Sequence, residues 1–187
     1  MPTTRQIFEI FRKYRTDKGT VHHYERMYNK LFEDIGIPAK LAEIGIQRGY
    51  SLAAWKALLP DTEITGVDIN IDNINPVALQ SATVIHANAL RESIVDKLPG
   101  TYDVIIDDGD HRTDAQWKAF TLLQDKWTSA YVIEDITGRE SVDTLVKRFV
   151  SLGYTPSVWD SAFKGPLRMS GEDKEITWYA MVIYPKK

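Results

Sequence analysis

The sequence predicts an α/β fold, in which a doubly wound, mostly parallel sheet has an antiparallel last strand and helices on both faces. Two observations predict it. Five short apolar runs alternate with segments of helical spacing, which is typical of a parallel sheet covered on both faces. Two further β-rich segments follow, and the residues between them (160–175) are rich in Gly, Lys, Ser and Glu and have no helical pattern. Such a connection suits an antiparallel pair better than a right-handed crossover.

The apolar runs and β-rich segments predict seven strands in one domain. The strands are residues 40–46, 64–69, 83–86, 102–108, 131–136, 155–159 and 177–184. Apolar side chains at helical spacing predict helices at residues 4–14, 24–32, 51–59, 113–124 and 141–152. Because no repeat or linker interrupts the 187 residues, we expect a single domain (1–187) with an N-terminal helical lid segment (1–36) and a Rossmann-like core (37–187).

Composition and charge exclude some classes of protein. The net charge is −3, which disfavours a nucleic-acid binder that works by neutralising phosphates. The chain has no cysteine, so metal ligands must be oxygen or imidazole. The N-terminal residues 1–14 carry charges and no long apolar run, and we therefore expect no signal peptide. No stretch is long and apolar enough for a membrane span, so we expect a cytoplasmic protein without a membrane partner.

Polar residues end each of the five predicted parallel strands. Ligands of doubly wound sheets bind at the carboxyl ends of the strands, beside the point where the strand order reverses. The residues at these ends are Glu43 to Gly49, Asp68, Asn88, Asp107 with Asp108, and Glu134 with Asp135. A protein without a ligand would not need an acid at so many successive strand ends, and the pattern therefore indicates a binding site.

The first of these strand ends contains a glycine loop. Gly45 and Gly49 allow a tight turn and a close approach to a ligand, with the spacing G-x-x-x-G rather than the G-x-G-x-x-G of dinucleotide sites. Asp68 ends the next strand, where an acid can accept hydrogen bonds from both ribose hydroxyls. The plainer interpretation is a strand–turn–helix with Ser51 as a helix-start residue. The glycine loop and Asp68 together favour a ligand that carries a nucleoside.

The segment 107–111 (DDGDH) and the pair Glu134–Asp135 form the second candidate site. Unpaired charge is costly to bury, so we expect segment 107–111 to lie outside the core. Adjacent strands are about 4.8 Å apart, and Asp108 can therefore converge with Glu134 and Asp135 on one cation. Both members of the pair can be ligands if the strand has already ended there, because consecutive strand residues point to opposite faces. Oxygen ligands favour Mg²⁺, Mn²⁺ or Ca²⁺.

A solvated acidic rim is the alternative to this metal site, with Asp110 capping the following helix. His111 is a candidate general base near neutral pH, and the alternative for it is a surface histidine at a helix start. The polar segment 17–24 contains Asp17, Lys18, His22, His23 and Tyr24, and its spacing assigns it no role beyond that of a lid. We interpret Met27 and Tyr28 as packing residues and give Trp117, Trp127 and Trp178 no role.

Several segments together resemble a known family. They are TDKGTVHHYERMYNKLF, LAEIGIQRGYSLAAW, GVDI, YDVIIDDGDH and YVIEDI. These segments resemble metal-dependent class I S-adenosylmethionine (SAM) O-methyltransferases that act on sugar hydroxyls of macrolides, of the mycinamicin type. The resemblance implies a Rossmann-like class I methyltransferase fold and SAM as cofactor, with Mg²⁺ or Mn²⁺.

The resemblance also implies a role for each candidate residue. Glu43 and the loop from Gly45 to Gly49 would hold the methionine end of SAM, and Ser51 joins the cofactor-binding residues. Asp68 would bind the ribose, and Asn88, where many relatives have aspartate, would face the adenine. Asp107 would contact the SAM amine or support the metal ligands. Asp108, Glu134 and Asp135 would bind the metal, and His111 would be the catalytic base.

The predicted function is therefore SAM-dependent methylation of a metal-chelated hydroxyl on a sugar-like or other small hydroxylated acceptor. The alternatives are a metal-independent small-molecule methyltransferase and a non-catalytic SAM-binding module. An NAD-linked oxidoreductase is disfavoured by the glycine spacing, and nucleic acid is disfavoured as a substrate by the acidic balance. A homo-oligomer is left open.

Overall fold

The computed structural model describes residues 1–166 and 175–186, and seven strands and eight helices lie within them. The strands are β1 (Lys40–Ile44), β2 (Glu63–Asp68), β3 (Thr83–His86), β4 (Tyr102–Asp107), β5 (Trp127–Thr137), β6 (Ser157–Pro166) and β7 (Glu175–Ile183). The helices are α1 (Thr4–Lys13), α2 (Asp17–Thr20), α3 (Glu25–Ile35), α4 (Tyr50–Leu58), α5 (Pro76–Ser81), α6 (Ile94–Lys97), α7 (Thr113–Leu123) and α8 (Gly138–Ser151).

All seven strands form one sheet in the order β3-β2-β1-β4-β5-β7-β6. Strands β1 to β5 are parallel, and β7 is antiparallel to both β5 and β6. The predicted fold class is therefore confirmed, including the antiparallel last strand. Half of the predicted connection 160–175 falls on residues 167–174, which lie outside the described residues, and the rest belongs to β6 and β7. The strand order reverses between β1 and β4, and this is the predicted place for a ligand.

Helices cover both faces of the sheet and bury one apolar cluster on each. On one face, Phe11 of α1 packs edge-on against Trp55 of α4, with ring centroids 5.0 Å apart. On the other face, Phe120 of α7 packs edge-on against Phe149 of α8 at 4.7 Å. None of the helices in the described ranges is both long and apolar enough to cross a membrane.

The N-terminal helices belong to the core of the molecule. Helix α1 starts in a capping box, because the Thr3 hydroxyl accepts from the backbone N–H of Gln6 while the Gln6 side chain accepts from the backbone N–H of Thr3. Ile7, Phe11 and Tyr28 are fully buried between these helices and the sheet. The N-terminal segment (1–36) is thereby fixed over the strand ends, and its role as a lid stays a prediction.

Candidate functional site

The acids of the predicted site lie side by side at the carboxyl ends of β1, β4 and β5. In the parallel ladder Ile44 of β1 is paired with Asp107 of β4, and Asp107 is paired with Ile133 of β5. Glu43 precedes Ile44, Asp108 follows Asp107, and Glu134 follows Ile133. The register of three neighbouring strands therefore brings together acids that are far apart in the sequence.

A bulge in β5 separates the side chains of Glu134 and Asp135. The register with β7 shifts between Ile133 and Ile136, and Asp135 has a φ of 53°. The strand continues to Thr137, so the condition under which both acids would point to one ligand, that the strand ends at this pair, is not met. Because of the bulge, Glu134 contacts Lys18 and Tyr28, whereas Asp135 contacts Tyr24 and lies near His111.

Lys18 of α2 is the centre of a buried charge cluster that the sequence did not predict. Its Nζ lies 2.7 Å from Asp108 Oδ2 and 3.0 Å from Glu43 Oε1, and it also donates to Glu134 Oε2. Burial alone would lower the pKa of the ammonium, but the carboxylates of Asp108, Glu134 and Glu43 outweigh it and hold the pKa well above its ordinary value. Lys18 is therefore a permanent internal cation.

The remaining oxygens of this cluster are also bonded. The hydroxyl of Tyr28 donates to Glu134 Oε1, and the indole N–H of Trp55 donates to Glu43 Oε2 at 3.1 Å. Burial raises the pKa of both glutamates against the opposing effect of Lys18. Tyr28 therefore packs in the core, as expected, and also holds a site carboxylate.

Asp108, His111 and Asp135 form a second, more open group. One ligand atom from each lies within 4.8 Å of the others. His111 Nε2 lies 3.4 Å from Asp108 Oδ1 and 3.9 Å from Asp135 Oδ2. The two carboxylates of this group fit a divalent cation such as Mg²⁺ or Mn²⁺, with the imidazole of His111 beside it. The structure thus brings Asp108 together with Asp135 in this group and with Glu134 around Lys18, and it leaves the metal role of all three as a prediction.

Neighbouring charges set the protonation of this open group. Burial alone would raise the pKa of Asp108, but Lys18 and His111 outweigh it and lower the pKa to about 2. Burial likewise would lower the pKa of His111, and its hydrogen bond to Asp108 and the charge of Asp135 raise it instead. Burial, followed by the charge of Asp108, raises the pKa of Asp135. The Tyr24 hydroxyl donates to Asp135 Oδ1 at 2.7 Å and holds its direction.

Asp107 lies inside the core, so the expectation that segment 107–111 stays outside is wrong for this residue. Its side chain accepts from the Tyr131 hydroxyl at 3.2 Å and from the Gly109 N–H at 3.3 Å. Burial raises its pKa to about 7, which reduces the charge that must be buried. Asp110 does not cap α7, because Arg112 is the N-cap and Asp110 forms an ion pair with it at 2.6 Å.

The glycine loop joins β1 to α4 and packs tightly against neighbouring chain. Gly45 has a φ of +82°, and a Cβ there would lie 2.1 Å from the carbonyl oxygen of Asp108. Gly49 is the N-cap of α4 with a φ of +75°, and a Cβ there would lie 2.6 Å from Ala78 Cβ. Both glycines are therefore required by the turn and by its close packing against Asp108 and Ala78, and the approach of the loop to a ligand stays a prediction.

Two cavities open at the strand ends and share Gly45, Asp68 and Gly109. The larger, about 720 Å³, is lined by Ser51, Asp108, His111 and Asp135, among others. The smaller, about 370 Å³, is lined by Asp107, Asn88 and the apolar side chains of Ile44, Val67, Ile69, Ala87, Ala89, Leu90, Ala115 and Ala119. Glu43 and Glu134 are not among the described residues that line either cavity.

Asp68 is fixed at the junction of the two cavities. Its carboxylate accepts from the backbone N–H groups of Gln47 at 2.8 Å and Asn70 at 2.9 Å. Asn88 Oδ1 accepts from the N–H of Leu90 at 2.8 Å on the wall of the smaller cavity. An apolar slot beside a fixed carboxylate fits a flat base and a ribose, and the roles that the resemblance implies for Asp68 and Asn88 stay predictions.

Known structures with the same fold are methyltransferases. The MycE methyltransferase of the mycinamycin biosynthetic pathway, solved with Mg, SAH and mycinamycin VI, is similar with a TM-score of 0.60 and 26% identity over 69% of this chain. MycE with Mg and SAH gives a TM-score of 0.70 and 19% identity over 97% of this chain. This chain spans 38% and 55% of those two MycE chains, which is about half their length.

A SAM-dependent methyltransferase from Archaeoglobus fulgidus has a TM-score of 0.62 and 19% identity, over 95% of this chain and 99% of that one. No protein-family profile matches the sequence, and no curated protein matches it significantly. The chain therefore has the Rossmann-like methyltransferase fold.

Proposed function

We propose that this chain is a SAM-dependent methyltransferase that methylates a hydroxyl of a small, sugar-like acceptor with the help of a divalent cation. One observation carries the proposal: Asp108, His111 and Asp135 meet on the wall of a cavity that continues, past Asp68, into an apolar slot. Support comes from the fold and from MycE, whose structures contain Mg and SAH.

The residues of the two cavities divide the binding of SAM between them. The apolar slot with Asn88 would hold the adenine, and Asp68 would accept hydrogen bonds from the ribose hydroxyls. Gly45 and Ser51 line the larger cavity on the side of the methionine end. SAM supplies a methyl group on a sulfonium, which is a good leaving group, so the protein has mainly to position the acceptor and take up its proton.

His111 would take the proton of the acceptor hydroxyl. Its Nε2 faces the two carboxylates of the open group, at the place where Asp108 and Asp135 would hold the cation. A divalent cation held there by Asp108 and Asp135 would lower the pKa of the acceptor hydroxyl and orient it. In the overall reaction the methyl–sulfur bond breaks, the oxygen–methyl bond forms, and the proton moves to His111.

The test is methyl transfer from labelled SAM to a panel of sugars and catechols, with Mg²⁺ and with excess chelator. We expect chelator to abolish turnover, while SAH still binds in calorimetry because the SAM residues do not need the cation. Asp135→Asn should also lose turnover, and Asp143→Asn, at an exposed ion pair with Arg139, should keep it. Full turnover in chelator would favour the metal-independent methyltransferase. Binding of SAH with no transfer to any acceptor would favour the non-catalytic module.

A further inference from the structure

The strand ends offer two sets of ligand atoms that share Asp108. The first set is the open group of Asp108, His111 and Asp135, and the second set contains Glu43, Asp108 and Glu134. Within each set, one ligand atom per residue lies within 4.8 Å of the others. Such spacing suits a single cation in each set, and in the open group the carboxylates of Asp108 and Asp135 would be its ligands, with His111 beside them.

The second position already holds a cation, the ammonium of Lys18. The ammonium donates hydrogen bonds to Asp108 Oδ2 at 2.7 Å and to Glu134 Oε2, and its Nζ forms an ion pair with Glu43 Oε1 at 3.0 Å. The Lys18 side chain is 1% exposed, so the ammonium cannot exchange these partners for water.

The first position faces the larger cavity. All three residues of the open group line that cavity, whereas the other members of the second set are buried. Lys18 holds Asp108 by Oδ2, and Asp108 Oδ1 lies on the side of His111. One carboxylate is thus shared between an internal cation and the open position.

We infer that Lys18 is a positioning residue that occupies one of two cation positions, so that the chain binds one divalent ion, beside His111, instead of two. The inference rests on the proposed function, because it requires the open position to bind a divalent ion. Divalent ions at both positions would bridge through Asp108 and make a two-metal site. The ammonium prevents this while it fixes the direction of Asp108.

Binding of Mn²⁺ tests the inference, with calorimetry for the stoichiometry and electron paramagnetic resonance for the distance between ions. Lys18→Met removes the charge and keeps an unbranched side chain that is one atom shorter. We expect the wild type to bind one Mn²⁺ ion per chain, with the spectrum of an isolated ion. Lys18→Met, refolded in millimolar Mn²⁺, should bind two ions per chain, and its spectrum should show the broadening of two ions close together. Lys18→Arg keeps a cation and should restore the single-ion spectrum. Lys30→Met, at an exposed ion pair with Asp34, is the matched control and should bind one ion.

Each of the other possible results would contradict either this inference or the metal half of the proposed function. One ion on both the wild type and Lys18→Met would overturn the inference and leave the proposed function standing. No ion on the wild type would overturn the metal half of the proposed function, and the inference with it. A Lys18→Met chain that stays unfolded in millimolar Mn²⁺ would also overturn the inference, because a cation position must accept Mn²⁺ once the ammonium is gone.

Discussion

His111 lies between two carboxylates, and this position sets the form in which its ring can act. The hydrogen bond to Asp108 and the charge of Asp135 outweigh burial and raise the pKa of the imidazole above its ordinary value. A base must be neutral, and the neutral fraction grows as the pH rises through the pKa. Turnover should therefore increase with pH through the raised pKa. A divalent ion beside the ring repels the imidazolium, so more Mg²⁺ should move the midpoint to lower pH.

Removal of the imidazole tests this role directly. His111→Ala should reduce turnover about 10²-fold or more, with SAH binding unchanged, because the ring acts on the acceptor proton. The residual turnover should no longer increase with pH through the pKa of His111. His23→Asn is the control, since His23 is partly exposed and pairs with Glu25 rather than with the acids of the site. A variant that keeps its rate would remove His111 from the role of base.

Asp107 should make the stability of the chain depend on pH. Its pKa is about 7 in the folded protein and near 3.8 otherwise, so the folded state binds more protons between these values. The free energy of unfolding should therefore fall as the pH rises from about 4 to about 7, and stay low above that.

Asp107→Asn should remove this fall in the free energy of unfolding. Near pH 8 the variant should therefore be more stable than the wild type by about 1–3 kcal/mol. Urea unfolding in chelator, near pH 5 and near pH 8, measures both proteins. Asp143→Asn should keep the wild-type dependence on pH. If Asp107→Asn kept it too, the cause of the pH effect would lie elsewhere.

At the scale of elements, the loop after β1 and the end of β4 are packed together without spare room. Gly45→Ala places a methyl group 2.1 Å from the Asp108 carbonyl oxygen in a left-handed conformation. Gly36 has the same φ of +82° with no atom within 4 Å of an added Cβ, so Gly36→Ala carries the backbone strain alone.

We expect Gly36→Ala to cost about 1 kcal/mol and Gly45→Ala at least about 2 kcal/mol more, because the loop or Asp108 must shift. Urea unfolding measures the two losses, and Mn²⁺ affinity should fall in Gly45→Ala alone. Equal losses in the two variants would mean that the contact with Asp108 is not tight in solution.

The elements themselves could be predicted because each leaves a local pattern. Apolar runs and helical spacing located all seven strands and the five longest helices, while the short helices α2, α5 and α6 leave too few residues for a period to show. The bulge at Glu134 and Asp135 could not be predicted, since an aspartate with positive φ has no distinctive neighbours in the sequence. Sequence therefore indicated both acids but not the different partners that they take.

At the scale of the whole molecule, the order of the sheet explains why the acids of the site lie together at the strand ends. Parallel strands bring their carboxyl ends to one edge, and Asp68, Asp108 and Asp135 line the larger cavity at that edge as a result. The position of Lys18 does not follow from the order of the sheet. Its partners Asp108 and Glu134 lie 90 and 116 positions away in the sequence, and the N-terminal helices must dock on the sheet before Lys18 can reach them. No local pattern carries that information.

The separation between Lys18 and Glu134 has a consequence for biosynthesis. At roughly 5–20 residues per second, β5 leaves the ribosome on the order of ten seconds after Lys18 does. In that interval the sheet that α1 and α3 cover is incomplete, and the lysine lacks at least one of its three carboxylate partners. The first segment made therefore cannot complete its contacts until the fifth strand has been made.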